Sequence, residues 1–347
     1  MTYKPWLVIC FLWSLASCSE PEPVVYQTKI LSFGTYVDVT LSGVSKEQAD
    51  TAITAIEEQL DFMHDQWHAW RPSSITALNE QLQSGKPFVV NDDLLPLVVQ
   101  SKKLYQSSLG YFNPAIGKLI QTWGFYRDEP QDNKTIPAPE ILSTLVKSNP
   151  NMDHIKVVGN EVQGFNSDIQ IDFGGYAKGY GVEKLIEQLE SHEIHNALIN
   201  AGGDIKGIGG RTNDRAWKIA IEDPFTRQAL GWINLKSGES IFSSGDYIRY
   251  FEYQGKNYHH IIDPMTGYPS EHARAVTVIA TDAALADAAA TALMVAPSSD
   301  WLAIKEKMGL KHLLIVDRDG TLYSDIGLKD RLTLLSEKTL NNIEHNH

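Results

Sequence analysis

Two oxygen-bearing side chains interrupt an apolar segment near the C-terminal end of the chain. Between Ala283 and Val295, only Asp287 and Thr291 are polar. Because they are four residues apart, they share one face if the segment is a helix. An unpaired buried carboxylate is costly, and a carboxylate with a hydroxyl suits Mg²⁺, which keeps its other positions for water and phosphate. The structural alternative is that Asp282 caps the helix and Asp287 bonds a nearby backbone group.

A pair of consecutive histidines provides a candidate base. His259 and His260 point to opposite faces if they lie in a strand, so only one of them can face a given site. Imidazole changes charge near neutral pH and is therefore suited to general-base catalysis. The alternative is a histidine that is hydrogen-bonded within a sheet. The segment from Asp263 to Gly267 predicts a turn that holds this end of the strand.

Two glycine-rich segments invite comparison with phosphate-binding turns. Residues 171–181, "IDFGGYAKGYG", predict a strand, a glycine turn and a helix that begins near Ala177. The free N–H groups of that helix suit phosphate, and Lys178 adds positive charge. The alternative is an ordinary strand-to-helix turn with a surface lysine. Residues 200–210, "NAGGDIKGIGG", are followed by no helical pattern and predict a hairpin in which Asp204 caps a turn.

A second pair of candidate metal ligands gives a weaker signal. His64 and His68 are four residues apart, but no third ligand lies nearby in the sequence, which argues against a zinc site. The neighbouring Trp67 and Trp70 offer flat surfaces on which a planar ring can stack.

The N-terminal segment predicts export and lipid attachment. Lys4 precedes an apolar run over residues 6–16, which is shorter than the roughly 20 residues of a membrane-spanning helix and suits a signal peptide. "LASC", ending at Cys18, resembles the lipobox of bacterial lipoproteins, and Ser19 then favours the outer over the inner membrane. We expect a lipid-anchored protein that faces the periplasm. The alternative is a signal peptide that is cleaved without lipid attachment.

Composition narrows the remaining choices. Cys10 and Cys18 are the only cysteines of the 347 residues, so the mature domain needs neither a disulfide nor a catalytic thiol. A net charge of −13 argues against nucleic acid as a partner and requires local cations or a metal for any anionic ligand. We predict a signal peptide at 1–17, a tether at 18–28, one domain at 29–335 and a flexible tail at 336–347.

The hydrophobic patterns alternate between the periods of strands and helices. Residues 29–41 predict a strand pair or one long strand. Ser45 and Gln48 have the spacing of a capping box before a helix, and residues 91–110 predict a second helix. Helices packed on largely antiparallel sheets give an α+β fold.

Taken together, these motifs resemble the ApbE family of FAD:protein FMN transferases, and the resemblance covers residues 33–295. The matching segments are, in order, "SFGT", "SSITALN", "GYFNPAIGKLIQTWGF", "IDFGGYAKGYGVE", "NAGGDI", "SSGDYIRYF", "YHHIIDPMTGYP" and "ADAAATAL". A few positions depart from the family pattern. Phe33 stands in place of Met, Trp70 where Tyr is frequent, Asn113 in place of Asp and Ala115 in place of Thr.

The resemblance implies a single catalytic domain and a Mg²⁺-dependent reaction. FAD is cleaved, FMN moves through a phosphoester bond to a Thr or Ser hydroxyl of a target protein, and AMP is released. The family pattern implies that Mg²⁺ is held by Asp287, Thr291 and the main-chain carbonyl of Ala177, and that His260 is the base. It implies FAD contacts at Phe33, Trp70, Asn113, Lys178, Glu183, His260 and Ile261. Membrane redox-pump subunits are the expected target proteins.

Two other functions stay open at this point. A Mg²⁺-dependent FAD pyrophosphatase would use the same residues with water as the acceptor and give FMN and AMP. A flavin-binding lipoprotein would have no turnover, and the presence of Asp287, Thr291 and His260 argues against it. The sequence does not separate transferase from hydrolase, because the difference lies in how the acceptor docks.

Overall fold

A computed structural model describes residues 24–126, 135–211 and 215–343. The predicted signal peptide and Cys18 lie outside these residues. The helices are α1 (Lys46–Gln66), α2 (Ser74–Gln83), α3 (Leu95–Ser107), α4 (Gly117–Thr122), α5 (Pro139–Ser148), α6 (Ala177–Ser191), α7 (Ala283–Val295), α8 (Trp301–Met308) and α9 (Ile326–Lys329). Within the described part of the chain, no helix is both long enough and apolar enough to span a membrane.

The strands form one large sheet and three small ones. They are β1 (Val25–Ser32), β2 (Thr35–Ser42), β3 (Phe88–Val89), β4 (Ile155–Val158), β5 (Glu161–Gly164), β6 (Ala197–Ala201), β7 (Asp204–Ile208), β8 (Trp217–Glu222), β9 (Ala229–Leu235), β10 (Ser240–Gly245), β11 (Tyr250–Tyr253), β12 (Lys256–His259), β13 (Ala273–Ala280), β14 (His312–Asp317), β15 (Leu322–Ser324), β16 (Thr333–Leu334) and β17 (Leu340–Asn342).

The large sheet has nine strands in the order β1-β2-β6-β7-β10-β13-β14-β15-β17. All of its neighbouring strands are antiparallel except β15 and β17. The smaller sheets are β3-β5-β4, β16-β9-β8 and β11-β12. Helices α6 and α7 pack against each other, and α7 also packs on β10 and β13. The predicted α+β class with largely antiparallel sheets is therefore confirmed.

Locally encoded elements appear where the sequence predicts them. Of the two predictions for residues 29–41, the strand pair is confirmed and the single long strand is wrong: β1 and β2 form a hairpin that turns at Phe33 and Gly34, with positive φ angles of 52° and 70°. The capping box of α1 is present: Ser45 Oγ accepts from the N–H of Gln48 at 3.2 Å, and Gln48 Oε1 accepts from the N–H of Ser45 at 3.1 Å. The second predicted helix, α3, starts later than expected because the Asn91 side chain accepts from the N–H of Leu94 and forms a turn there.

Three segments differ from the sequence prediction in the type or the bounds of their elements. Residues 170–173, before α6, do not form the predicted strand, because their backbone hydrogen-bonds residues 114–117, which are not part of a strand. The Gln170 carbonyl accepts from the N–H of Gly117, and the N–H of Asp172 donates to the carbonyl of Pro114. The predicted tether overlaps the start of β1 at Val25. The predicted tail is partly ordered, because β17 adds to the edge of the large sheet.

Candidate active site

The junction of α6 and α7 brings Asp287 to the first turn of α6. Asp287 Oδ2 accepts a hydrogen bond of 2.8 Å from the N–H of Gly179, and only 4% of the Asp287 residue is exposed. Gly179 permits this approach, since a Cβ there would lie 2.3 Å from the carbonyl oxygen of Ala283. Burial raises the pKa of Asp287, and the charge of Lys178 and the Gly179 N–H oppose that rise. The sequence left open that Asp287 bonds a nearby backbone group. Asp287 does bond a backbone N–H, but this N–H belongs to α6 and not to its own helix.

Thr291 lies one turn further along α7, beside the glycine turn. Its Oγ1 is 3.4 Å from the carbonyl oxygen of Gly175, and a Cβ on Gly175 would come within 3.0 Å of that hydroxyl. Ala177 is instead the first residue of α6, where a carbonyl is directed along the helix toward the residue four positions later. The carbonyl of Ala177 as a metal ligand stays a prediction. The backbone oxygen that lies beside Thr291 belongs to Gly175. The sequence alone did not select this carbonyl as a ligand, and the pair Gly174–Gly175 was the only feature of the sequence that pointed to it.

The oxygen atoms at this junction fit Mg²⁺. The Asp287 carboxylate, the Thr291 hydroxyl and the Gly175 carbonyl are all hard oxygen donors, which this cation prefers. Asp287 Oδ1 accepts no hydrogen bond from the described residues, so that oxygen is available. Nowhere in residues 24–126, 135–211 and 215–343 do three or more His, Cys, Asp or Glu side chains form a metal-binding group. A site with one carboxylate suits a cation that also binds phosphate oxygens.

Lys178 connects this junction to the large sheet. Its ammonium group forms an ion pair with Asp204, which is 3% exposed at the start of β7. The other Asp204 oxygen accepts from the N–H of Ser243 at 3.1 Å. The expectation that Asp204 caps its turn is therefore wrong, because Asn200 does so by accepting from the N–H of Gly203 at 2.7 Å. The short Asn200 side chain reaches that turn while Asp204 faces Lys178.

His260 follows the last residue of β12 and has a partially buried side chain. Its Nδ1 lies 3.1 Å from the carbonyl of Arg249, and Phe125 contacts the ring edge-on at 6.3 Å between centroids. Burial lowers the pKa of His260 to about 3, helped by the neighbouring charges of His259, Arg249 and Lys178. The ring is therefore neutral at pH 7. With Nδ1 donating to the carbonyl, the lone pair is on Nε2.

His259 is the histidine of this pair that is hydrogen-bonded to the surrounding backbone, the alternative that the sequence left open. Its Nε2 lies 2.7 Å from the carbonyl of Ser270, and the residue is 4% exposed. Burial lowers the pKa of His259 as well. It is the histidine held by the surrounding backbone.

Aromatic side chains surround the glycine turn. Trp70 packs on Tyr126 at 5.6 Å between ring centroids. Burial raises the pKa of Asp172, while the N–H of Gly174, which donates to this carboxylate at 2.7 Å, the positive charge of Arg249 and the Trp70 side chain lower it. Phe33 stacks on Trp67 at 6.4 Å, from the turn of the β1–β2 hairpin. These flat surfaces lie beside the motif that the sequence linked to phosphate.

Three other predicted FAD contacts are engaged within the protein. Asn113 donates from Nδ2 to the carbonyl of Pro150 at 2.9 Å and accepts at Oδ1 from Ala115 at 3.0 Å. Glu183 pairs with Lys206 at 2.9 Å and accepts from the first N–H of α7 at 3.0 Å. Ile261 is 6% exposed. Their contacts with a flavin stay predictions.

Comparison with known proteins agrees with this architecture. The model of the ApbE family matches residues 33–314. A FAD:protein FMN transferase of Rhodobacter capsulatus is 35% identical over 90% of this chain and 59% of its own length, and one of Vibrio cholerae is 30% identical over 91% and 95%. The solved ApbE protein of Thermotoga maritima has a TM-score of 0.80 at 29% identity and covers 89% of this chain and 99% of its own. The apo flavinyl transferase ApbE of Pseudomonas stutzeri has a TM-score of 0.78 at 26% identity and covers 90% and 98%.

The fold and the junction therefore define an α+β protein with a buried carboxylate–hydroxyl pair on one helix, next to a glycine turn and a neutral histidine. This chain belongs to the ApbE family.

Proposed function

We propose that this protein is a Mg²⁺-dependent FAD:protein FMN transferase. The observation that carries the proposal is the contact of Asp287 with the first turn of α6 and of Thr291 with the glycine turn before it, within a chain that matches the family over residues 33–314. An acceptor hydroxyl oxygen attacks the phosphorus of the FMN half of FAD. The new O–P bond forms as the bond to AMP breaks, and the hydroxyl proton leaves with a base.

Each part of the junction has a task in this reaction. Phosphoryl transfer depends mainly on positioning and charge neutralisation. Lys178 and the N-terminus of α6 supply positive charge to the pyrophosphate. Mg²⁺, when bound by Asp287, Thr291 and a backbone carbonyl, would supply further positive charge to the pyrophosphate oxygens. The neutral ring of His260 accepts the hydroxyl proton at Nε2.

The proposal extends to the cellular setting of the reaction. Cys18 carries the lipid, the domain faces the periplasm, and the acceptors are proteins of the same membrane system, with redox-pump subunits as the expected class. The support is the lipobox-like "LASC" and the apolar run before it.

A FAD pyrophosphatase is the second candidate, because the same residues serve a water acceptor. The test incubates the mature protein with FAD, Mg²⁺ and a candidate target protein. Covalent flavin on the target is read by in-gel fluorescence and AMP by chromatography. We expect AMP and flavinylated target in equal amounts, with neither formed in the presence of EDTA. Free FMN without labelled target would reject the transferase in favour of the pyrophosphatase.

A further inference from the structure

Lys178 contacts one buried carboxylate and precedes a residue that contacts a second one. It forms an ion pair with Asp204, whose side chain is 5% exposed. The next residue, Gly179, donates its N–H to Asp287, which is 4% exposed, at 2.8 Å. Lys178 therefore pairs with one buried carboxylate and is adjacent in the chain to the residue that contacts the carboxylate a metal needs.

Asp204 is held firmly in its position. It begins β7, a central strand of the large sheet, and its second oxygen accepts from the N–H of Ser243 at the end of β10. The partner side of the pair is mobile by comparison, because a lysine reaches its partner through four rotatable bonds. The position of the ammonium group is thus set by Asp204.

We propose that Asp204 is a positioning residue that draws the Lys178 ammonium group away from Asp287 and so keeps this carboxylate open to a cation. The inference rests on the proposed function, in which Asp287 binds Mg²⁺ and Lys178 binds the pyrophosphate. A lysine close to a metal-binding carboxylate can pair with that carboxylate and so compete with the metal. The motif that contains Lys178 does not by itself prevent this pairing.

Asp204 and Asp287 compete for the Lys178 ammonium group. A buried carboxylate without a partner is costly, so a nearby ammonium group moves to it when no better partner exists. If Asp204 loses its charge, Asp287 is a nearby buried carboxylate, because the N–H of Gly179, next to Lys178 in the chain, contacts it. Glu183, on the same helix, is already paired with Lys206 at 2.9 Å. Lys178 then pairs with Asp287 and competes with the metal.

The test is a titration of the FAD-free protein with Mn²⁺, with unbound Mn²⁺ measured by electron paramagnetic resonance. Asp204→Asn keeps an oxygen for the N–H of Ser243 and removes the charge. We expect it to weaken Mn²⁺ binding about tenfold, the usual effect of losing a residue that supports a metal ligand. Asp204→Glu restores the charge and should recover most of the affinity. Circular dichroism confirms that each variant is folded.

A double variant gives the sharpest arm. Adding Lys178→Met to Asp204→Asn removes the competing ammonium group, so Mn²⁺ affinity should return to within about threefold of wild type. A merely structural role for Asp204 predicts no such recovery. The matched control is Asp223→Asn, which removes the charge of a 7% exposed side chain paired with Lys338 at 2.5 Å and should leave Mn²⁺ affinity unchanged.

Flavin transfer by the wild-type protein is measured in parallel. If transfer occurs but Asp204→Asn binds Mn²⁺ as tightly as wild type, or the double variant binds no better than Asp204→Asn, the positioning role is rejected and the transferase stands. If the wild type transfers no flavin while the Mn²⁺ results are as expected, the transferase is rejected and the positioning role stands. Absence of Mn²⁺ binding to wild type rejects the positioning role together with the metal assignment.

Discussion

The backbone N–H of Gly179 donates a hydrogen bond of 2.8 Å to the carboxylate of Asp287, 108 residues further along the chain. Tyr176, the residue that precedes α6, provides no side-chain cap for that helix. A residue of α7 therefore satisfies one of the free N–H groups of α6, which a helix otherwise finds within its own sequence. The bond fixes one oxygen of Asp287 and leaves the other for a cation.

Replacing the charge of this carboxylate should separate its structural and chemical tasks. Asp287→Asn keeps an acceptor for Gly179 but loses the negative charge, so we expect a folded protein whose Mg²⁺-dependent AMP release falls about 100-fold or more. AMP is measured by chromatography. The matched control is Asp282→Asn on the same helix, where asparagine caps as well as aspartate and release should be unchanged. Full activity of Asp287→Asn would reject the metal assignment.

A methyl group on Gly179 should force α6 and α7 apart. The added Cβ would lie 2.3 Å from the Ala283 carbonyl and 2.8 Å from Asp287 Cβ, both of which are buried. We expect Gly179→Ala to lower the free energy of unfolding by about 1–3 kcal/mol, measured by urea denaturation. Gly181→Ala is the comparison, since its Cβ meets a ring atom of Phe33 at 2.9 Å and this side chain can move. An equal loss in both variants would argue against a specific helix contact.

The partially buried imidazole of His260 should make the protein less stable in acid. Its pKa is lowered to about 3 in the folded state, against about 6.5 in the unfolded chain, so between these values the unfolded state binds more protons. The free energy of unfolding should fall by at most about 1.4 kcal/mol per pH unit as pH decreases through this window. His260→Gln lacks this contribution. Urea denaturation of both proteins at pH 7 and pH 5 measures the difference, and parallel pH dependence would contradict the burial of His260.

Asn113 should resist replacement by the aspartate that the family usually has there. Its Nδ2 donates to the carbonyl of Pro150, and a carboxylate would leave that buried carbonyl without a donor. We expect Asn113→Asp to lower the free energy of unfolding by about 1–3 kcal/mol, measured by urea denaturation. Asn91→Asp is the control, because Asn91 uses its oxygen as an acceptor for Leu94 and aspartate keeps that oxygen. Equal stability of Asn113→Asp and wild type would show that this bond contributes little.

The lipid anchor is tested in cells. Cys18→Ser removes the thiol to which we propose the lipid is attached, so we expect the protein to move from the membrane fraction to the soluble fraction and to lose palmitate labelling. Cys10→Ala changes the other cysteine, within the predicted signal peptide, and should retain both properties. Unchanged membrane association and labelling of Cys18→Ser would favour a signal peptide without lipid attachment.

The sequence by itself determined the features that depend on neighbours within a few residues. The capping box at Ser45 and Gln48 needs only the first turn of α1. Asp287 and Thr291 share a helix face because of their spacing alone. Opposite roles for His259 and His260 follow from the alternation of side chains in an extended chain. The family motifs, which are also read along the chain, then indicated Mg²⁺-dependent cleavage of FAD and left the acceptor, hydroxyl or water, open.

Only the tertiary structure decided which atoms these side chains meet. It placed the Gly175 carbonyl, 116 residues away in sequence, beside Thr291, and it paired Asp204 with Lys178 instead of a turn. It also engaged Asn113 with a backbone carbonyl. The reason is physical: spacing sets which side of a helix or strand a residue occupies, whereas its contacts depend on how closely distant segments pack. The close approach of α6 and α7 depends on Gly179, because a Cβ at this position would collide with the carbonyl of Ala283.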